Sequence, residues 1–377
     1  MSRIAIITAD IEITGDGVAD YSRLLADELV RQGHEVLIIG LMQKSGQWLK
    51  YLPGNAGPEA SGNFHLAERI EAARDVIDRF NPDFISFQYV CFSFGRYGLP
   101  LNIGRAIRTI AGNRPVELMS HELWTGISRP ADLKTYLLGT LQQWNYKRFL
   151  HQLRPAVVHV SNPAYVRLLQ RIGQKAKVLP LFGNIPVNAA KDAWLESQMN
   201  CISFLIFGSI HPEWLPEPLL PMMIALAEKL NKKPLIVSAG SQGRGVAVWQ
   251  AMVEKYQSQV AFHALGRMDA ERVSALMNSA DFAIATSPLS LIGKSGTAAA
   301  MLEHDMPVIV TRDEPCYSVG RVEPEEGFSR FIRPDQSFEM QMMAEMQRER
   351  KPQSRLPIVA KYVALEQVAR KIVKMDN

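Results

Sequence analysis

The chain's 377 residues are 47% hydrophobic and 21% charged, the length of about two to three domains and the composition of an ordinary soluble globular protein, which excludes disorder, collagen and coiled coil. Forty-two Lys and Arg against 38 Asp and Glu leave a net charge of +4, short of the basic footprint that a nucleic-acid backbone demands, so no nucleic acid is expected as a partner. Cys91, Cys201 and Cys316 stand far apart with no Cys-x-x-Cys spacing or Cys/His cluster, so neither a disulfide framework nor a metal site is expected, and the cytoplasm is the expected location.

The first apolar run, Arg3–Thr8, has Asp10 and Glu12 close behind it and reads as a buried strand rather than a signal peptide. No stretch reaches the ~18 apolar residues of a membrane span. A turn-rich loop ending Gly15-Asp16-Gly17 leads into a helical pattern over Val18–Gln32, which Gly33 stops before a second strand, His34–Ile39. That is a βαβ unit with continuous apolar strands, the mark of a parallel sheet covered on both faces. The alternation continues with a helix over 65–80, strand Phe84–Tyr89, a helix over 101–112, strand Val116–Ser120, a helix over 132–152, strand Val157–Val160, a helix over 163–172 and strand Lys177–Pro180. Residues 181–200 lack a strand signal and read as a linker. Strands then recur at Cys201–Gly208, Pro234–Ala239, Val260–Ala264, Asp281–Thr286 and Pro307–Thr311, with helical patterns between them, and a last helical pattern covers 356–373. The expected class is α/β, with two Rossmann-like, doubly wound parallel-sheet domains facing a central cleft. Their expected bounds are 1–185 and 200–350, with a helix in 355–377 returning toward the first. Ligands of such domains sit at the C-terminal ends of strands, where loops enter helix N-termini.

Several segments in order carry a resemblance: Gly15-Asp16-Gly17-Val18-Ala19-Asp20-Tyr21, Arg31-Gln32-Gly33-His34-Glu35-Val36, Phe87-Gln88-Tyr89, His121-Glu122-Leu123-Trp124, Phe207-Gly208-Ser209-Ile210, Ser279-Ala280-Asp281-Phe282 and Met306-Pro307-Val308-Ile309-Val310. Together, over residues 1 to about 315, they resemble the GT-B glycosyltransferases, specifically the retaining glycosyltransferase family 4 of glycogen-synthase-like and mannosyltransferase enzymes. The resemblance implies a nucleotide diphosphate sugar as donor on the second domain and an unidentified acceptor on the first. It implies neither metal nor other cofactor, and no dedicated protein base, because in such a reaction the leaving phosphate takes the acceptor's proton. Two departures stand beside it. Ile292 and Ala300 occupy the positions of the family's paired glutamates, and Ser209 and Trp214 those of its diphosphate-binding Arg and Lys.

Gly293-Lys294-Ser295-Gly296-Thr297 opens a predicted helix and forms the strongest anion site in the sequence. Glycines admit backbone amides to a phosphate, the helix N-terminus adds partial positive charge, and Lys294 adds a full one. Lys294, Ser295, Gly296 and Thr297, with Gly17, are the expected diphosphate-binding residues, Lys294 compensating for Ser209 and Trp214. The same segment fails as a nucleoside-triphosphate loop, since Pro288 stands where that loop begins with glycine. His121, at a strand C-terminus, is the expected catalytic residue, able to donate to a sugar hydroxyl or to developing charge. Gly266, Arg267 and Glu303 are expected at the nucleotide, Glu303 in place of the missing ribose carboxylates. Trp144, Tyr146, Lys147, Arg148, Phe149 and Arg154 on one helix, and Gln47–Leu52, suit either weak peripheral membrane contact or core packing of the aromatics. The expected activity is glycosyl transfer with retention; the alternative is a degenerate GT-B module that binds a nucleotide, sugar or partner without turnover.

Overall fold

The structure, a computed structural model, describes residues 1–11, 17–42, 47–51, 59–63, 65–127, 132–314, 319–320, 322–323 and 331–364, with backbone only at 47–51 and 59–63. Two compact units divide the chain. Unit 1 holds the described residues of Met1–Pro180, Cys316–Gly320 and Leu356–Asn377, and unit 2 those of Leu181–Pro315 and Arg321–Arg355.

Unit 1 is built on strands β1 (Arg3–Thr8), β2 (Glu35–Gly40), β3 (Gln47–Tyr51), β4 (Glu59–Asn63), β5 (Phe84–Tyr89), β6 (Val116–Ser120), β7 (Val157–Val160) and β8 (Lys177–Val178), with helices α1 (Gly17–Arg31), α2 (Leu66–Phe80), α3 (Cys91–Phe94), α4 (Ile103–Ala111), α5 (Leu133–Leu153) and α6 (Pro163–Arg171). The sheet order is β4-β3-β2-β1-β5-β6-β7-β8. The six strands from β2 to β8 pair in parallel, and β3 and β4 add an antiparallel hairpin at one edge. Ile4, Ile6, Ile7, Ile38, Ile39, Phe84 and Ile85 are all sealed from solvent, as strands covered by helices on both faces require. Asp132 caps α5 by accepting from Thr135 N, and Asn162 caps α6 by accepting from Tyr165 N. Residues 356–364 are helical, and their Pro357 carbonyl accepts from Gln32 Nε2 of α1 while the Tyr362 ring meets His159 of β7. The remainder of the expected last helix lies outside the described residues.

Unit 2 runs α7 (Ala193–Glu196), β9 (Cys201–Ser209), α8 (Leu220–Lys229), β10 (Lys233–Gln242), α9 (Val246–Tyr256), β11 (Ala261–Gly266), α10 (Ala270–Ser279), β12 (Phe282–Ala285), α11 (Gly296–Glu303), β13 (Val308–Val310), β14 (Phe331–Ile332) and α12 (Phe338–Met346), with the sheet in the order β11-β10-β9-β12-β13-β14. All its pairings are parallel. Residues 181–200, expected as a linker, instead pack into this unit. Ile185 and Leu195 join its core, Asn188 N donates to Ser274 Oγ, and Asp192 N donates to Ser279 Oγ. Among the described residues no helix is long and apolar enough to cross a membrane, and no group of three or more His, Cys, Asp or Glu is placed to hold a metal ion.

Candidate functional site

In unit 2 the chemistry gathers where β9, β10, β12 and β13 end. Ser295 caps α11 by accepting from Ala298 N at 3.2 Å and lies 2.9 Å, oxygen to oxygen, from the Thr297 hydroxyl. The first amides of a helix have no partner within it, so those of Gly296 and Thr297 carry the α11 dipole outward. Close approach of α11 to β9 needs a glycine: Gly208 has φ +84°, and a Cβ on it would stand 2.7 Å from the Thr297 methyl. Lys294, exposed, ends the 3-10 turn Leu289–Lys294 that leads into α11.

His211, in the loop after β9, registers its charged surroundings. Burial holds its imidazole below the ordinary range, and the charges of Arg312, Arg244 and Lys294 push the same way against Glu213. Its backbone N–H donates to Thr286 Oγ1, and its Nδ1 accepts from Glu213 N. Arg312, just past β13, is buried. It pairs with Glu213 at 3.2 Å and Glu314 at 2.8 Å, while its Nη1 has no hydrogen-bond partner. Three cations from three connecting segments, with two carboxylates, therefore stand about one loop beside a helix N-terminus. Neither Arg244 nor Arg312 is among the sequence-predicted residues. The signal for Arg312 was its place two residues beyond the strand Val308–Val310.

The departures from the family pattern are structural. Trp214 is a core side chain whose Nε1–H donates to Thr311 Oγ1 at 2.9 Å, and Ile292 is fully buried. Gly183 crosses α11 so closely that a Cβ on it would stand 2.5 Å from Ala300 Cα; a glutamate at 300 would displace this crossing. Glu303, near the C-terminal end of α11, has its carboxyl turned to the chain itself. It accepts from the backbone N–H of Arg355 at 2.9 Å and from that of Gly183, and burial raises its pKa to about 7. The structure thus gives Glu303 the task of fastening residues 183 and 355 to α11, and does not bring it together with Lys294. Gly266, at φ +70°, ends β11, two strands from β9 in the sheet, and the exposed Arg267 follows it.

In unit 1, Gly17 is the exposed first residue of α1, where a Cβ would meet nothing within 4 Å. Asp20 is paired with Arg23, and Asp16 lies outside the described residues. His121 follows β6 directly, with its backbone N–H donating to the Tyr89 carbonyl. Its ring is buried edge-on to Tyr21 at 4.9 Å, with Nε2 2.8 Å from Gln88 Oε1. A buried polar chain runs on from there. Gln88 Nε2 donates to Ser86 Oγ at 2.7 Å, Ser86 donates to Glu117, and Glu117 Oε1 lies 2.9 Å from His159 Nδ1. Since the Gln88 amide nitrogen is spent on Ser86, its oxygen must accept. The proton of His121 is therefore on Nε2 and the lone pair on Nδ1. Burial lowers the pKa of His121 to about 3, so the ring is neutral across ordinary pH. His121 is a fixed acceptor through Nδ1, where the sequence reading had it donating. Sequence reasoning missed Ser86, Glu117 and His159, although polar residues inside otherwise apolar strands signal buried hydrogen bonding.

No protein-family model matches the chain, and a search of curated proteins finds no match. Solved structures do resemble it. The catalytic domain of starch synthase IV from Arabidopsis thaliana, solved with ADP and acarbose, is 10% identical with TM-score 0.53 over 99% of each chain. Anabaena HepE with UDP-glucose is 14% identical with TM-score 0.51, over 83% of this chain and 81% of that one. A Listeria monocytogenes protein bearing the name of a UDP-N-acetylglucosamine 2-epimerase is 13% identical with TM-score 0.52, over 96% of this chain and 94% of that one. At such identities the likeness is one of fold. The two parallel sheets flanked by helices are those of the GT-B fold.

Proposed function

We propose that this protein transfers a glycosyl group from a nucleoside diphosphate sugar to an acceptor hydroxyl, with retention and without a metal, in the manner of glycosyltransferase family 4. The observation that carries the reading is the convergence of Lys294, Arg244 and Arg312 on the loop of His211 beside the N-terminus of α11. A departing diphosphate needs its developing charge met by donors already in place. In this reading the amides of Gly296 and Thr297, the Ser295 hydroxyl and Lys294 hold the diphosphate, Arg244 supplements them, and Gly266 and Arg267 lie toward the nucleotide. Gly17 leaves room for the transferred sugar, and His121 accepts a hydrogen bond from a sugar hydroxyl through Nδ1. The bond from the sugar carbon to the phosphate oxygen breaks as that to the acceptor oxygen forms, and the acceptor's proton passes to the phosphate. The ligands carried by the Arabidopsis and Anabaena structures are in keeping with such a donor. The acceptor is a saccharide, a lipid-linked saccharide or a small molecule.

A second reading, binding without turnover, is favoured by one feature: Ile292 and Ala300 are packed apolar residues where the family has carboxylates. Calorimetric titration with nucleoside diphosphates, followed by an assay for slow hydrolysis of the matching nucleotide sugars, separates the two. Binding with hydrolysis supports the transferase; binding with no turnover of any donor supports the second reading; and failure to bind any nucleoside diphosphate refutes the donor site.

A further inference from the structure

Helix α5 bares an apolar stripe over its first three turns. Gly139, Gln142, Asn145, Tyr146, Phe149, Leu150 and Leu153 face the interior of unit 1. On the opposite side Leu133, Tyr136, Leu137, Leu141 and Trp144 are 73%, 56%, 54%, 54% and 56% exposed. Their spacing puts them on one stripe, so the bare side chains form a largely apolar face of about three turns, with exposed Thr140 within it and exposed Lys134 beside it. Isolated surface leucines are ordinary, but a contiguous apolar patch marks something that covers it.

Charge indicates what covers it. The stripe ends in Lys147, Arg148 and His151, all exposed, and the Arg148 guanidinium lies over the Trp144 ring at 6.0 Å. None of the 21 residues of α5 is acidic. Across residues 91–180 the sequence holds thirteen Lys and Arg against three Asp and Glu, whereas the rest of the chain holds 29 against 35. The near-neutral total thus conceals a strongly basic half of unit 1. A nucleic acid would answer the charge and leave the leucines wet. A bilayer with anionic headgroups answers both, since acyl chains take leucines, the interface takes Trp and Tyr, and phosphates take Lys and Arg.

We propose that the outer face of α5 docks the protein on an anionic lipid surface, with Leu133, Leu137, Leu141 and Trp144 inserted at the headgroup boundary and Lys147 and Arg148 on the phosphates. Of the α5 aromatics expected at such a surface from sequence, Tyr146 and Phe149 are core residues and Trp144 is outside; the side chains of the other expected segment, Gln47–Leu52, lie outside the described residues. This inference does not depend on the transferase reading.

The test is sedimentation of the full chain with vesicles of phosphatidylcholine alone or with phosphatidylglycerol added. Wild-type protein should sediment with the anionic vesicles, less so at high salt. Each basic residue near such a surface contributes roughly a fivefold factor in binding, so Lys147→Gln with Arg148→Gln should lower partitioning about 30-fold. Leu137→Glu with Leu141→Glu should abolish it at every salt concentration, and thermal melts confirm that these exposed substitutions leave the fold intact. Absence of wild-type binding, or unchanged binding by both variants, overturns the proposal. So does a concentration-dependent dimer that Leu137→Glu dissolves, for the face would then belong to a second copy of the chain.

Discussion

His121 in unit 1 and Lys294 in unit 2 both lie in segments that follow strands of their sheets, yet they are held in opposite ways. His121 is buried, neutral and tied by its Nε2 to a hydrogen-bonded chain that ends at Glu117 and His159. Lys294 is exposed in a neighbourhood where the charges of Arg244 and Arg312 meet those of Glu213 and Glu314, and it stands beside a helix N-terminus. A closed network fixes one orientation and tolerates little change, whereas an assembly of like charges gains when an anion arrives. The contrast is thus between fixed geometry within unit 1 and concentrated charge within unit 2.

The sharpest way to break the first half of this contrast is to remove the carboxylate at its centre. Glu117→Ala leaves Ser86 and His159 buried without their acceptor and should lower unfolding stability by about 3 kcal/mol or more, measured by denaturant titration. A loss under about 1 kcal/mol would show that the chain is not a coupled network.

The second expected effect lies in unit 2 and depends on pH. The carboxyl of Glu303 has its folded pKa raised to about 7 from an ordinary 4.5. An acid so raised binds its proton more tightly when folded, so the stability it lends is full below pH 4.5 and lost as pH rises through 7. The difference amounts to roughly 3 kcal/mol. Glu303→Gln, which keeps an acceptor for the Arg355 and Gly183 amides, should flatten stability between pH 4.5 and 7. A variant that retains the wild-type slope would remove Glu303 as its source.

A smaller effect is expected from Gln88→Leu, about 1 to 2 kcal/mol for a buried hydrogen bond lost on both sides. The telling readout is the His121 tautomer by nitrogen NMR. Loss of the Nε2–H preference in the variant supports the assignment, and an unchanged tautomer contradicts it.

Much of the framework was legible in sequence because buried parallel strands are apolar throughout. Arg3–Thr8, Phe84–Tyr89, Val116–Ser120 and Val157–Val160 coincide with their expected bounds. The hairpin β3–β4 was not, since Glu59–Asn63 is polar and glycine-containing and is a strand only by virtue of pairing with β3. Residues 181–200 read as a linker because their fastening to unit 2 is by side-chain caps and backbone donors to Ser274 and Ser279, which leave no periodic pattern. The site was half legible. The sequence 293–297 showed its glycines and lysine, but Arg244 and Arg312 reach the same loop only through the sheet order. Glu303 looked available until Gly183 and Arg355 were seen on its carboxyl. The exposed face of α5 was hidden for another reason: a helix with apolar and polar residues on both its buried and its bare side shows no amphipathic stripe to mark which side is bare.

The central claim is that unit 2 holds a diphosphate through Lys294 and the first amides of α11, and calorimetry on wild type and Lys294→Ala tests it directly. A charge-assisted contact of this kind contributes about 1.5 to 3 kcal/mol. The substitution should therefore weaken the best-binding nucleoside diphosphate by roughly one to two orders of magnitude and leave the bare nucleoside nearly unchanged. Equal affinity of the two proteins for the diphosphate would contradict the account.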